Sequence, residues 1–159
     1  MTSETVPTYV AFHEAGHAIV AVAEKIGFRS VTIERTEHAL GRLLFAALRI
    51  PATVETPSQR DRLERLVRVI LAGRIAQCRH DEKSYEEHTD EEDRRALEMI
   101  LPRLCERSEP VLDAYLKYLE ADAVDTIDQC WPEVERCAQE LLRSRKLSAS
   151  AVKKILYGV

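Results

Sequence analysis

Apolar residues recur along most of this chain at helical spacing, interrupted by short polar stretches and prolines. Over 8–26 the pattern reads as one helix, with Pro7 near its start and Gly27 just past its end. Val10, Ala18, Ala21, Val22 and Ile26 form its buried side. Val31, Ile33 and the apolar run 43–45 predict two short strands, 28–33 and 41–46, joined by a polar turn into a hairpin. Pro51 and Pro57 bracket a loop, after which Ser58 is expected to cap a helix over 59–79. In that helix Leu63, Leu66, Val67, Ile70, Leu71 and Ile75 keep the i, i+3, i+4, i+7 rule. Gly73 interrupts it at a cost of roughly 1 kcal/mol against Ala, so another helix is expected to approach closely there. Thr89 and Glu92 fit a capping box for the next helix, which buries Ala96, Leu97, Ile100 and Leu104. Further helices are expected over 110–129 and 132–142, and a short one capped by Ser148 ends near Tyr157. The class predicted is mostly α with one small β-hairpin, in a single domain over 1–159 that begins with a short lead at 1–7.

Composition narrows the function classes. With 159 residues, 45% of them hydrophobic, the chain has the apolar content for one packed core, which excludes a disordered chain. Its net charge is −4, so the arginines of the 59–79 helix read as a solvated face and no nucleic-acid partner is expected. No apolar run nears the ~18 residues of a membrane span, and the first residues have no basic-then-apolar export pattern. The expectation is a cytoplasmic protein with no membrane partner. Cys78, Cys105, Cys130 and Cys137 form no Cys-x-x-Cys pair and read as reduced, mostly buried thiols. Cys78 with His80 is too small a set for a metal site.

One motif carries chemistry. His13-Glu14-Ala15-Gly16-His17 fits H-E-x-x-H inside a predicted helix. Four residues turn an α-helix by about 400°, so both imidazoles leave the same side about 6 Å apart and can converge on one Zn²⁺. Glu14, offset by about 100°, can reach a water at the metal without being a ligand, and so suits a general base. A catalytic zinc commonly takes a third protein ligand. A metzincin would have Gly at position 20 and His at position 23, where this chain has Val20 and Ala23. Glu34 and Glu37 stand at the sequence distance of a downstream Glu ligand but fall in the hairpin turn. The other candidates lie in or beside the acidic stretch from Asp81 to Asp93, with His80 and His88.

Val10-Ala-Phe-His-Glu-Ala-Gly-His-Ala-Ile-Val-Ala21 closely resembles the zinc-binding helix of the FtsH-type AAA proteases. Val31-Thr-Ile33 and Ala39-Leu-Gly41 are similar to the strand and segment that follow in their peptidase domain. Leu71-Ala-Gly-Arg-Ile-Ala-Gln77 is similar to its Gly-Gly-Arg-x-Ala-Glu helix, with Ala72 for the first Gly and Gln77 for the Glu. The tail from Trp131 to Leu156 is similar as well, so the likeness runs over about 6–156. The resemblance implies an Asp opening the next helix as third ligand. Asp93 fits, with Ala96, Leu97, Ile100 and Leu101 at +3, +4, +7 and +8, although Glu92 replaces the usual preceding Asn. No G-x-x-x-x-G-K-[ST] occurs, so the expectation is a peptidase-like domain without the ATPase and its membrane anchor.

The resemblance thus implies a helical zincin-like metallopeptidase domain, with Zn²⁺ on His13, His17 and Asp93 and Glu14 as general base. Its substrate would be unfolded protein or peptide, cut without ATP and paired to an edge of strand 29–33 or 41–46. A separate unfoldase or a homo-oligomer would be the natural partner. The competing expectation is a non-catalytic interaction module that retains the zinc site.

Overall fold

The computed structural model describes residues 5–34, 42–45, 50–86 and 90–159. Helix α1 (Thr8–Ala23) is followed by strands β1 (Phe28–Thr32) and β2 (Arg42–Phe45), then by the long α2 (Pro57–His80). A single 3₁₀ turn, Glu82–Ser84, leads towards α3 (Glu91–Leu104) and α4 (Glu109–Gln129). The chain closes with α5 (Trp131–Ser144), the short β3 (Lys146–Ser148) and α6 (Ala149–Tyr157). The predicted class, mostly α with a small hairpin, is the one observed.

Every residue of α1 from Val10 to Val22 is buried, not one side only. Packing against α2 on one side and α5 and α6 on others explains why, since a helix covered all round has no solvent face to reserve for polar groups. Ala11, Ala15, Ala18 and Ala21 keep it slim enough for this. Gly16 brings α2 closest: a Cβ there would lie 2.4 Å from the Ala72 carbonyl oxygen and 2.6 Å from Ala76 Cβ. A second apolar cluster joins α2 to α3 and α4 through Leu63, Leu66, Val67, Ile100, Leu104 and Leu119.

Several boundaries differ from the expectations. Helix α1 ends at Ala23, before Ile26. The Ile26 N–H donates to the Ala21 carbonyl and Lys25 N–H to the Val22 carbonyl, a Schellman closure with Lys25 at φ 58°. The left-handed residue is therefore Lys25, and Gly27 is not the stop. Thr56, not Ser58, caps α2: its hydroxyl accepts from Gln59 N–H while the Gln59 side chain accepts from Thr56 N–H. Asp90 holds the N-cap position of α3, and Thr89 lies outside the described residues. Ser148 caps α6 as expected, accepting from Ala151 N–H.

The hairpin gains a third strand. The order is β2-β1-β3, antiparallel throughout, and Ile33 N–H donates to the Arg145 carbonyl beyond the end of β1. β1 is paired on both sides, so the expectation that segment 29–33 offers a free edge is wrong. Among the described residues β2 is an outer strand of this sheet. Among the described residues, no helix is long and apolar enough to cross a membrane.

Candidate metal centre

Side chains from α1 and α3 meet over one stripe of α2. His13 and His17 leave the same side of α1, as their spacing requires, and Asp93 comes from the first turn of α3. His13 Nε2 stands 3.0 Å from His17 Nε2 and 3.0 Å from Asp93 Oδ2, and His17 Nε2 stands 3.1 Å from that oxygen. Both histidines are buried, while the Asp93 side chain keeps 23% exposure and marks the open side. The ends of α2 and α3 are tied together nearby: Tyr85 hydroxyl donates to Asp90 Oδ2 at 3.1 Å, and the Arg74 guanidinium lies over the Tyr85 ring.

Hydrogen bonds fix which nitrogen of each ring carries its proton. His17 Nδ1–H donates to the Val69 carbonyl at 2.8 Å, an atom that can only accept. His13 Nδ1 faces Gln77 Oε1 at 3.0 Å. The Gln77 amide nitrogen faces the Ser84 carbonyl at 3.2 Å, so the amide oxygen must be the atom towards His13, and His13 Nδ1 is the donor. Both Nε2 lone pairs therefore point at each other and at a carboxylate. With both rings neutral these are three acceptors with no donor between them, a set that a cation satisfies, either a metal ion or the second proton that His17 takes up in the metal-free chain. Their 3.0–3.1 Å separations are close to the roughly 3.3 Å between ligands of a tetrahedral zinc. These three atoms form a possible metal-holding group among the described residues.

Gly73 leaves the room. A Cβ at this position would lie 2.4 Å from His17 Nε2 and 2.8 Å from His13 Nε2. The close approach expected at Gly73 is thus made by the two imidazoles of α1. Donor set, proton placement and space all fit a Zn²⁺ ion.

The same geometry governs the charges of the metal-free chain. Burial alone would lower the pKa of His17, but the Asp93 carboxylate, Glu14 and the Val69 carbonyl outweigh it and lift the value to about 9. Burial would raise Asp93, yet His17 and His13 hold it well below the usual carboxylate range. Glu14 moves the other way: burial raises its pKa against the pull of His17 and His13, with Asp93 and Glu92 pushing it further up. Its Oε2 is buried and has no hydrogen-bond partner among the described residues.

Of the other candidates, Glu34 is exposed at the end of β1 and takes no part in the cluster. His80 is also apart, its ring stacked on Phe12 at 3.7 Å between centroids. Cys78 stays outside the cluster as a half-buried free thiol. Glu37 and His88 lie outside the described residues. Sequence reasoning missed Val69 and Gln77 as supports. The signal was present, since Val69, Gly73 and Gln77 are successive i, i+4 positions and form one stripe of α2. A search against protein-family models finds no match for the chain, and a search of curated proteins finds no relative.

Proposed function

We propose that this chain is a zinc-dependent peptidase acting on unfolded protein or peptide, as its resemblance to the FtsH-type peptidase domain implies, and that, with no G-x-x-x-x-G-K-[ST] in this sequence, it cuts without ATP. The observation that carries the reading is the triangle of His13, His17 and Asp93 together with the buried carboxylate of Glu14, whose Oε2 has no partner among the described residues. When bound there, Zn²⁺ supplies Lewis acidity to the scissile carbonyl and lowers the pKa of water. His13 and His17 hold their lone pairs inward through Gln77 and the Val69 carbonyl, and Asp93 adds the one negative charge of the donor set. Glu14 takes the proton of the attacking water and returns it to the departing amine nitrogen. Burial, by raising its pKa, makes it a better proton acceptor than an exposed carboxylate.

An outer strand of the sheet, β2, is the place for an extended substrate to pair. Four free thiols accord with a reducing, cytoplasmic setting. A separate unfoldase or self-association would supply what the domain lacks for folded substrates. A second reading, a non-catalytic module with a structural metal, draws on the low exposure of His13 and His17 at 8% and 6%.

The test is Glu14→Gln. Gln leaves both imidazoles in place and cannot take a proton, so about one zinc per chain should remain while hydrolysis of an unfolded protein falls by at least 100-fold. Wild-type protein that binds zinc but cuts nothing would leave the structural-metal reading in its place.

A further inference from the structure

We propose that Gln77 is a positioning residue for the imidazole of His13, and that the Glu82–Ser84 turn in turn holds Gln77. The inference rests on the metal-binding reading above and adds to it a residue that touches neither metal nor substrate. Gln77 is 1% exposed, so each of its amide atoms needs a partner within the protein. All are accounted for in one direction. Ser84 hydroxyl donates to the Asp81 carbonyl at 2.6 Å, which leaves its oxygen free to accept. The Gln77 amide group donates to that oxygen at 3.3 Å and to the Ser84 carbonyl at 3.2 Å. Gln77 Oε1 then accepts from His13 Nδ1–H at 3.0 Å.

A flipped amide would set two carbonyl oxygens face to face and offer His13 a donor in place of an acceptor. Such an imidazole would carry its proton on Nε2, pointing at His17 and Asp93, with no lone pair for a metal. The turn that prevents the flip lies between α2 and α3, the helix that delivers Asp93. Gln77 thus links the orientation of one ligand to the segment that brings another. His17 has a backbone carbonyl in the same role, so Gln77 is the half of this arrangement that substitution can reach.

Two variants and one measurement on the unaltered chain test this. Gln77→Leu keeps the volume and removes every hydrogen bond; zinc affinity, read by competition with a chromophoric chelator, should fall 10–100-fold. Gln77→Glu still accepts from His13 Nδ1–H and should bind zinc within about threefold of wild type or more tightly. A residue that merely fills space would give the opposite order, with Leu tolerated and a buried Glu harmful. Zinc affinity unchanged in Gln77→Leu, or weaker in Gln77→Glu than in Gln77→Leu, overturns the proposal. In metal-free wild-type protein, long-range ¹⁵N–¹H NMR should find His13 protonated on Nδ1; a bare Nδ1 overturns the proposal even if neither variant folds. Wild-type protein that binds no zinc refutes the metal reading separately, because the NMR result does not depend on it.

Discussion

A methyl group at position 73 would stand 2.4 Å from His17 Nε2 and 2.8 Å from His13 Nε2, far inside van der Waals contact. Gly73→Ala should therefore push the imidazoles apart and reduce zinc affinity at least 100-fold. The helix itself prefers Ala at this position by roughly 1 kcal/mol, which offsets part of the packing cost. Circular dichroism showing a folded variant, with zinc content near zero, is the expected outcome; full zinc occupancy would mean that the site lies elsewhere. Asp93→Asn probes the third corner. A neutral amide oxygen is a poorer zinc ligand than a carboxylate, so affinity should fall at least tenfold by the same chelator competition. At this scale much of the site could be read in the sequence. His13, Glu14 and His17 announce themselves because their chemistry fixes their spacing within one helix. Asp93 came only through the resemblance, since nothing local ties residue 93 to residue 13. Gln77 and Val69 were not found, because a second helix must be docked before a glutamine or a carbonyl becomes a support.

Elements were legible where apolar spacing is long and regular, as in α2, and less so at their ends. The end of α1 shows why. Gly27 marks a helix stop by its chemistry, but the stop is made two residues earlier by Lys25 at φ 58°, a conformation that costs a side-chain-bearing residue about 1 kcal/mol. Burial of Ile26 fixes that closure by tertiary packing, which sequence spacing does not record. Lys25→Gly relieves the strain at an exposed position and gives back part of the gain as unfolded-chain entropy. The variant should be more stable by up to about 0.6 kcal/mol in urea titration; a less stable protein would refute the strain. β3 escaped notice for another reason. Three residues, Lys146–Ser148, are too few for an alternating pattern, and they become a strand only because β1 lies ready to pair.

For the molecule as a whole, the proposed metal binding would be coupled to folding. Ligands at 13 and 17 and at 93 come from distant parts of the chain, so the unfolded state offers no comparable site. Zinc at 100 times its dissociation constant should contribute about 2.7 kcal/mol, a rise in Tm of roughly 5–10 °C for a chain of this size. Stripping zinc with a chelator should reverse that rise in differential scanning calorimetry, and readdition should restore it. An unchanged Tm, with zinc shown to bind, would mean that the ion binds the unfolded chain equally well.

The burial of α1 on all sides also sets an order in time. Residues 8–23 leave the ribosome well before α5 and α6, two of the helices that cover them. Until residues 131–157 have been made, the helix bearing His13, Glu14 and His17 has no complete shelter, and its apolar sides favour disorder or a chaperone over docking. Asp93 would be present by then, but the walls that fix its partners would not. A growing chain therefore has no finished His13–His17–Asp93 cluster, and under the proposed function no means of cutting itself or its neighbours, until these two helices are in place.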